Sequence, residues 1–388
     1  MELDRMKQYK KKLLVMVLVC QVLLTLAAPV IGSDDTGIKN KILEKRIEKG
    51  LNYLYENQNQ GGDFPAYYSF LPDMNERKKI NNTIIYDTGI IFHTLNLASN
   101  KHSNQIVDEM KNKSAGFLLD NRYPHSVWKF IGKNQTLDMH DTIMVPDVDD
   151  TSLAFEGLVE SGVNISDESL DYMLNFISPE GIFKTYINSP EWMDQLNITD
   201  PQYEFYEMNI IDDTINANVI YAYSLRNRTP TGVVQYLNRI AENRSFVNGT
   251  LYYPSPYVFT YFVTKAYSDG KVRELEPSLA NIREYLLETQ QPDGGWGNDV
   301  DTALATVALI NIGYEGKPLK KAIIHILENQ KKDGSWNIYS FFIAPSSPPM
   351  YYGSQEISTS VNLEALIKYK KSLEDKRDDH ENADYEIQ

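Results

Sequence analysis

The run Val145-Pro146-Asp147-Val148-Asp149-Asp150-Thr151-Ser152-Leu153-Ala154 places three carboxylates within four residues, just ahead of an apolar stretch of helical character. Carboxyl groups this close resist full ionisation, because each negative charge disfavours the next and one proton is retained toward neutral pH. A retained carboxylic acid beside acceptor carboxylates is a proton donor, and its neighbours receive the charge left when the proton departs. Cation binding and plain helix capping draw on the same residue types, so the surroundings must decide.

Capping is the ordinary explanation for part of the group. Asp-Thr pairs open helical runs at Asp87-Thr88, Asp150-Thr151, Asp213-Thr214 and Asp301-Thr302, and an aspartate in that position answers the first free N–H groups of a helix. Asp147 and Asp149 lie ahead of that cap and are left unexplained by it. If the four helix starts share one rim, Asp213, Asp299 and Asp301 add to an acidic mouth, with Asn298, Asp299 and Asp301 as its opposite wall. Such a mouth also suits calcium, which takes carboxylate and carbonyl oxygens, although the spacing is not that of an EF-hand. No metal or cofactor is assigned. His140 lies close enough in sequence to hydrogen-bond Asp149, while His93, inside an apolar helix, reads as a core or inter-helix polar group. In the run 209–218, Asn216 is expected to line a channel and Asn218 to pack between helices.

The elements that must position these residues alternate strictly. Amphipathic runs cover 38–57, 104–119, 167–176, 232–241, 275–290 and 318–330; more uniformly apolar runs cover 87–98, 151–159, 214–225, 256–267, 302–312 and 359–369. Helices apolar all round belong inside and amphipathic ones outside. Six of each, closed on themselves, predict an all-α (α/α)6 toroid over residues 33–371. The turns Gln290-Gln291-Pro292-Asp293-Gly294-Gly295-Trp296 and Gln330-Lys331-Lys332-Asp333-Gly334-Ser335-Trp336 share the form Gln-x-x-Asp-Gly-x-Trp, with altered copies at 58–64 and 178–183. Glycine releases the φ constraint where a helix stops, and the aromatic ring covers the junction between repeats.

The ends differ from the body. A basic start (Arg5, Lys7, Lys10, Lys11, Lys12) precedes an apolar run from Leu13 to Ile31, so residues 1–32 read as a signal peptide or an uncleaved signal anchor. The expectation is a secreted or membrane-anchored glycoprotein with its body on the non-cytoplasmic side and membrane contact through residues 13–31. Eight Asn-x-Ser/Thr sequons, at Asn81, Asn112, Asn134, Asn164, Asn197, Asn227, Asn243 and Asn248, agree with it. Cys20 is the only cysteine, so the body has no disulfide and relies on its core. The charged stretch 372–388 reads as a disordered acidic tail. Formal charge is -15, and removing five basic and two acidic groups with residues 1–32 leaves -18. That balance argues against nucleic acid as a partner, and a monomer is expected.

The Gln-x-x-Asp-Gly-x-Trp turns, the helix alternation over 38–370 and the motif Asp147-x-Asp149-Asp150-Thr151 together resemble the prenyltransferase/squalene-oxidase repeat superfamily, and within it the class II terpene cyclases. The resemblance implies an isomerase. By that resemblance the middle aspartate, Asp149, is expected to protonate a terminal alkene or epoxide of an isoprenoid chain and start carbocation cyclisation, with Asp147 and Asp150 as partner carboxylates. Family cyclases usually pair two helical domains, and this chain has room for one. Prenyl transfer to a protein cysteine fits badly, because no body cysteine can complete an Asp/Cys/His zinc set. An aromatic lining is drawn from Trp192, Tyr203, Phe205, Tyr206, Tyr257, Phe259, Tyr261 and Tyr352, and the tyrosines beside Pro256 (Tyr252, Tyr253, Tyr257) read either as an exposed groove for an apolar or carbohydrate ligand or as ordinary packing.

Two other functions stay open on sequence alone. A non-catalytic ligand-binding toroid needs no acid at all. A carbohydrate-active hydrolase or lyase needs two carboxyl groups facing each other several ångströms apart, for which Asp149 with Glu207 or with Asp299 is the pair to inspect.

Overall fold

In chain order the helices are α1 (Asn40–Asn57), α2 (Ile85–Ser99), α3 (Gln105–Asp120), α4 (Val148–Glu160), α5 (Glu168–Met173), α6 (Pro190–Gln195) and α7 (Asp213–Ser224). Next come α8 (Thr231–Glu242), α9 (Pro256–Ser268), α10 (Glu276–Thr289), α11 (Asp299–Asn311), α12 (Lys317–Asn329) and α13 (Gln355–Glu386). The structure, a computed structural model, describes residues 40–99, 105–137, 144–197, 206 and 208–386. Residues 1–42 and 43–388 are separate units, and the ring of helices belongs to the second.

Burial sorts the helices as their sequences require. Helix α2 is buried without interruption from Ile85 to Asn96, and α7 from Thr214 to Ser224. Helix α8 buries only Val233, Val234, Leu237 and Ala241, a single stripe. The all-round apolar helices α2, α4, α7, α9, α11 and α13 pack in that order, and α13 returns to α2. A closed inner ring inside an outer layer is the (α/α)6 toroid.

The repeated turns close that ring by specific bonds. Gln58 Nε2 donates to Gly62 O and to Met110 O on the next outer helix (3.0 and 3.1 Å). Gln290 does the same with Gly294 O and Pro318 O (both 2.9 Å). Gln330 reaches Gly334 O at 2.9 Å and Arg46 O at 2.8 Å, joining the last repeat to the first. The tryptophans are tied as regularly. The indole N–H groups of Trp128, Trp296 and Trp336 donate to Leu118 O, Leu286 O and Ile326 O at 2.7–3.0 Å. Their backbone N–H groups donate to the hydroxyls of Thr151, Thr302 and Thr359 at the next inner helix.

This corrects the capping assignment. Thr151 and Thr302 anchor the preceding tryptophan turns, and the N-caps of these inner helices lie upstream of the Asp-Thr pairs. The caps are Asp147, Asp212 and Asn298, so Asp150, Asp213 and Asp301 sit inside the first turn.

Four further features depart from the sequence reading or bear on it. Strands β1 (Tyr67–Ser69), β2 (Lys78–Lys79), β3 (Phe342–Ala344) and β4 (Met350–Gly353) form an antiparallel sheet ordered β2-β1-β4-β3. Ring closure makes this sheet by bringing the loop after α1 beside the loop before α13. Residues 372–386 continue α13, because the stretch holds strong helix formers and no glycine or proline to stop it. The transmembrane, membrane-anchored expectation is corrected: among the described residues no helix is long and apolar enough to cross a membrane. Residues 1–32, including the run 13–31, lie outside the described residues. The asparagines of all eight sequons are exposed.

Candidate active site

The aspartate loop is held as a short extended segment before α4. Asp147 N donates to Trp128 O (3.1 Å), Val148 N to Thr185 O (3.0 Å) and Ile187 N to Pro146 O (2.9 Å). Asp147 then caps the helix, its Oδ1 accepting from Asp150 N at 2.7 Å. With both flanks fixed, Asp149 projects from the first turn into the toroid.

Its environment favours the protonated carboxyl. Asp147, Asp149 and Asp150 are only 7%, 6% and 3% exposed. Asp149 Oδ1 accepts from Asn218 Nδ2 at 2.8 Å, and Oδ2 forms a short hydrogen bond with the Tyr253 hydroxyl. Tyr253 in turn lies 2.9 Å from the Tyr86 hydroxyl. Burial pushes the Asp149 carboxyl up to about 8, with the Asp147 and Asp212 charges adding to the rise and the Tyr253 and Asn218 hydrogen bonds opposing it. Asp149 therefore carries its proton at neutral pH. Asp147 is raised to about 6 by burial, held down by its capping bonds. Asp150 is pushed well above the carboxylate range by burial and by Asp147 beside it.

The hydrogen bonds are arranged for proton loss. While Asp149 is protonated, the Tyr253 hydroxyl can donate onward to Tyr86. Once the carboxylate forms, Tyr253 O–H and Asn218 N–H both donate to it. Donors fixed in advance around a developing charge stabilise it without reorganisation.

Above this group lies a cavity of about 370 Å³. Asp147, Asp149 and Asp150 are its only carboxyl groups among the described residues, and its walls are otherwise mainly aromatic and aliphatic. Tyr86, Phe130, Phe342 and Tyr352 form one connected aromatic wall, with Phe342 stacked on Tyr352 at 5.0 Å between ring centres and tilted against Tyr86 at 4.6 Å. Tyr186, Tyr206 and Tyr252 form another, joined by the Tyr186–Tyr252 hydroxyl bond of 2.8 Å. Ring faces turned to a dry space attract a cation.

The structure brings Asp147, Asp149, Asp150, Tyr206 and Tyr352 together at this cavity. The other sequence candidates are engaged elsewhere. Trp192 packs edge-on against Tyr123, and Asp213 binds the Tyr236 hydroxyl. Tyr257 packs against Tyr285 and Trp296, and Phe259 stacks on Phe246. Tyr261 donates to Glu364. Asp299 accepts from Asn337 N, and Asp301 binds Ser255 and Asn298. None of these lines the cavity. His140, Glu207, Tyr203 and Phe205 lie outside the described residues.

Asparagine and tyrosine roles also change. Asn216 clamps the Phe183 backbone through both its amide atoms, and Asn218 faces Asp149. Tyr253 is buried, since the turn before Pro256 folds inward onto the acid. Sequence reasoning missed Tyr86 and Phe342 altogether, and it gave Asn218 only a packing role. The uncharged run 338–354 was the available signal for Phe342.

A second buried polar group sits apart from this cavity. His93 binds Glu160 at 2.8 Å, and Lys265 binds Glu156 at 3.0 Å, which bears out His93 as an inter-helix polar group. His93, Asp269 and Glu364 bring ligand-type atoms within 4.8 Å of one another. The Lys368 ammonium already lies 2.5 Å from Asp269 and 3.9 Å from Glu364, supplying the positive charge there.

Fold and architecture are those of the type II terpene cyclases. Apo MstE from Scytonema superposes with a TM-score of 0.66 at 15% identity, covering 84% of this chain and 98% of that one. An MstE variant in complex with its substrate geranylgeranyl dihydroxybenzoate gives 0.65 at 15% identity over 86% and 98% of the two chains. The likeness thus spans nearly the whole of a cyclase chain, so one toroid is enough for that fold. A protein from Klebsiella pneumoniae, described as a possible member of the GH105 family, reaches 0.51 at 12% identity over 89% and 97%. No protein-family model matches the sequence.

Proposed function

We propose that this chain is a type II terpene cyclase that protonates a terminal alkene or epoxide of an isoprenoid through Asp149. The observation that carries the reading is a buried Asp149 at the floor of an aromatic cavity, with Asn218 and Tyr253 placed to receive its charge. MstE, of the same fold, binds an isoprenoid-bearing substrate.

In the first step the Asp149 O–H bond breaks and the alkene π pair forms a C–H bond, leaving a tertiary carbocation; an epoxide instead takes the proton on oxygen. The next double bond closes a ring and passes the cation along the aromatic walls. Loss of a proton from carbon to water ends the sequence and solvent returns a proton to Asp149, so the net reaction is an isomerisation. Asp147, raised only to about 6, carries the negative charge that holds the cation near the floor, while Asp150 stays neutral beside it.

The glycosidase alternative is the weaker one. Its two carboxyl groups must face each other across a sugar, and among the described residues all three cavity carboxyls come from one turn. The test is incubation of the purified protein with isoprenoids of ten to twenty carbons, followed by product analysis. Cyclic isomers are expected; recovery of every substrate unchanged would sink the reading.

Tyr253→Phe should slow conversion by about 10- to 100-fold. Its hydrogen bond holds the Asp149 carboxyl down, so losing it raises that group further and weakens the acid. The rate depends on the protonated form and falls as pH rises through about 8 in the parent protein. In the variant that alkaline limb should move to higher pH. A pH–rate profile left in place would show that Tyr253 does not act on Asp149.

A further inference from the structure

We infer that the substrate of this site enters as an uncharged isoprenoid, an alcohol, carbonyl compound, epoxide or hydrocarbon, and that a diphosphate is excluded. The inference deepens the cyclase reading, and its charge selectivity can be tested independently of turnover.

The cavity wall contains no lysine or arginine among its described residues. Its roof comes from the run 338–354, which holds no charged residue of either sign. The chain joining the lining residues Leu137 and Met144 has no lysine or arginine, nor does the stretch 198–205 that leads to Tyr206. Lys129 and Lys184 adjoin the lining residues Phe130 and Thr185 in sequence, but neither belongs to the wall. Lys129 instead donates to Gln135 O at 3.0 Å.

Recognition of a diphosphate draws on forked cations, a metal or the open N-terminus of a helix. Two helix starts at this cavity are already answered by carboxylates, because Asp147 caps α4 and Asp212 caps α7. An anionic head would also be desolvated beside three buried aspartates, with no opposite charge among the described lining residues to repay the loss. Neutral groups are provided for: the Tyr186 and Tyr252 hydroxyls line the wall and bond to each other, and a substrate hydroxyl or carbonyl can join that pair.

The experiment compares farnesol and geranylgeraniol with their diphosphates on the full chain, measuring binding by calorimetry and conversion by product analysis. The alcohols should bind about 100-fold more tightly than the diphosphates, or better. Ser346→Lys, a change at an exposed position on the cavity rim, should narrow that gap at least about tenfold by supplying the missing cation. Equal or tighter binding of the diphosphates overturns the inference, whether or not they are cyclised. So does failure of all four compounds to bind. Selective binding of the alcohols without any cyclic product supports the charge selectivity and counts against the cyclase reading alone.

Discussion

Asp149→Asn should abolish cyclisation, lowering turnover by about 10³-fold or more, while leaving the protein folded and more stable at alkaline pH. The two shifts have one cause. Asparagine keeps the shape and both hydrogen bonds: its oxygen accepts from Asn218, and its amide donates to Tyr253, which turns to Tyr86. It removes only the proton that the reaction needs. The sign of the stability change follows from linkage. The folded-state carboxyl, at about 8, lies above the ordinary 3.8, so the native state binds the proton more tightly than the unfolded chain. Native stability therefore declines as pH rises from about 4 to about 8 and stays low above that. Asparagine does not titrate, so the variant's melting temperature should match the parent's near pH 4 and exceed it at about pH 8 to 9. A variant that still forms cyclic product at the parental rate would remove Asp149 as the acid. A stability difference independent of pH would mean that the carboxyl is not held protonated by burial.

The second large effect belongs to the ring closure. Gly334 has φ +98°, and a Cβ there would lie 2.2 Å from Lys49 O and 2.7 Å from Lys49 C, on the backbone of α1. Neither atom can swing away as a side chain would. Gly334→Ala should therefore cost about 3 kcal/mol or more, by combining backbone strain with a forced separation of the last and first repeats. Gly162 supplies the control, since it has φ +84° but nothing within 4 Å of a Cβ. Gly162→Ala should cost only the conformational term, about 1–2 kcal/mol. Urea unfolding of both variants reads the difference. Equal losses would show that closure through Gly334 adds nothing, and the toroid would then be held by its inner ring alone.

The closure also explains why the architecture was readable from sequence. Alternating amphipathic and all-apolar runs determine which helices are inside, because burial follows composition around the helix. The Gln-x-x-Asp-Gly-x-Trp turns repeat because each performs the same bonds, from Gln290 to Pro318 O and from Gln330 back to Arg46 O. Composition and spacing are local properties, and they carried the inner and outer assignment and the three-aspartate loop by themselves. Cap assignment failed at one remove: Asp-Thr pairs looked like helix starts, while Thr151 and Thr302 hold tryptophan turns.

The amino-acid sequence alone thus determined a toroid with an aspartate loop opening its second inner helix. Only the tertiary structure decided what Asp149 meets. Asn218 is 69 residues away and Tyr253 is 104 residues away, while Phe342 arrives on a strand formed because the first and last repeats meet. No local pattern reports such partners, because their approach is fixed by how six repeats close into a ring. The same closure buries Asp149 and keeps its proton in place.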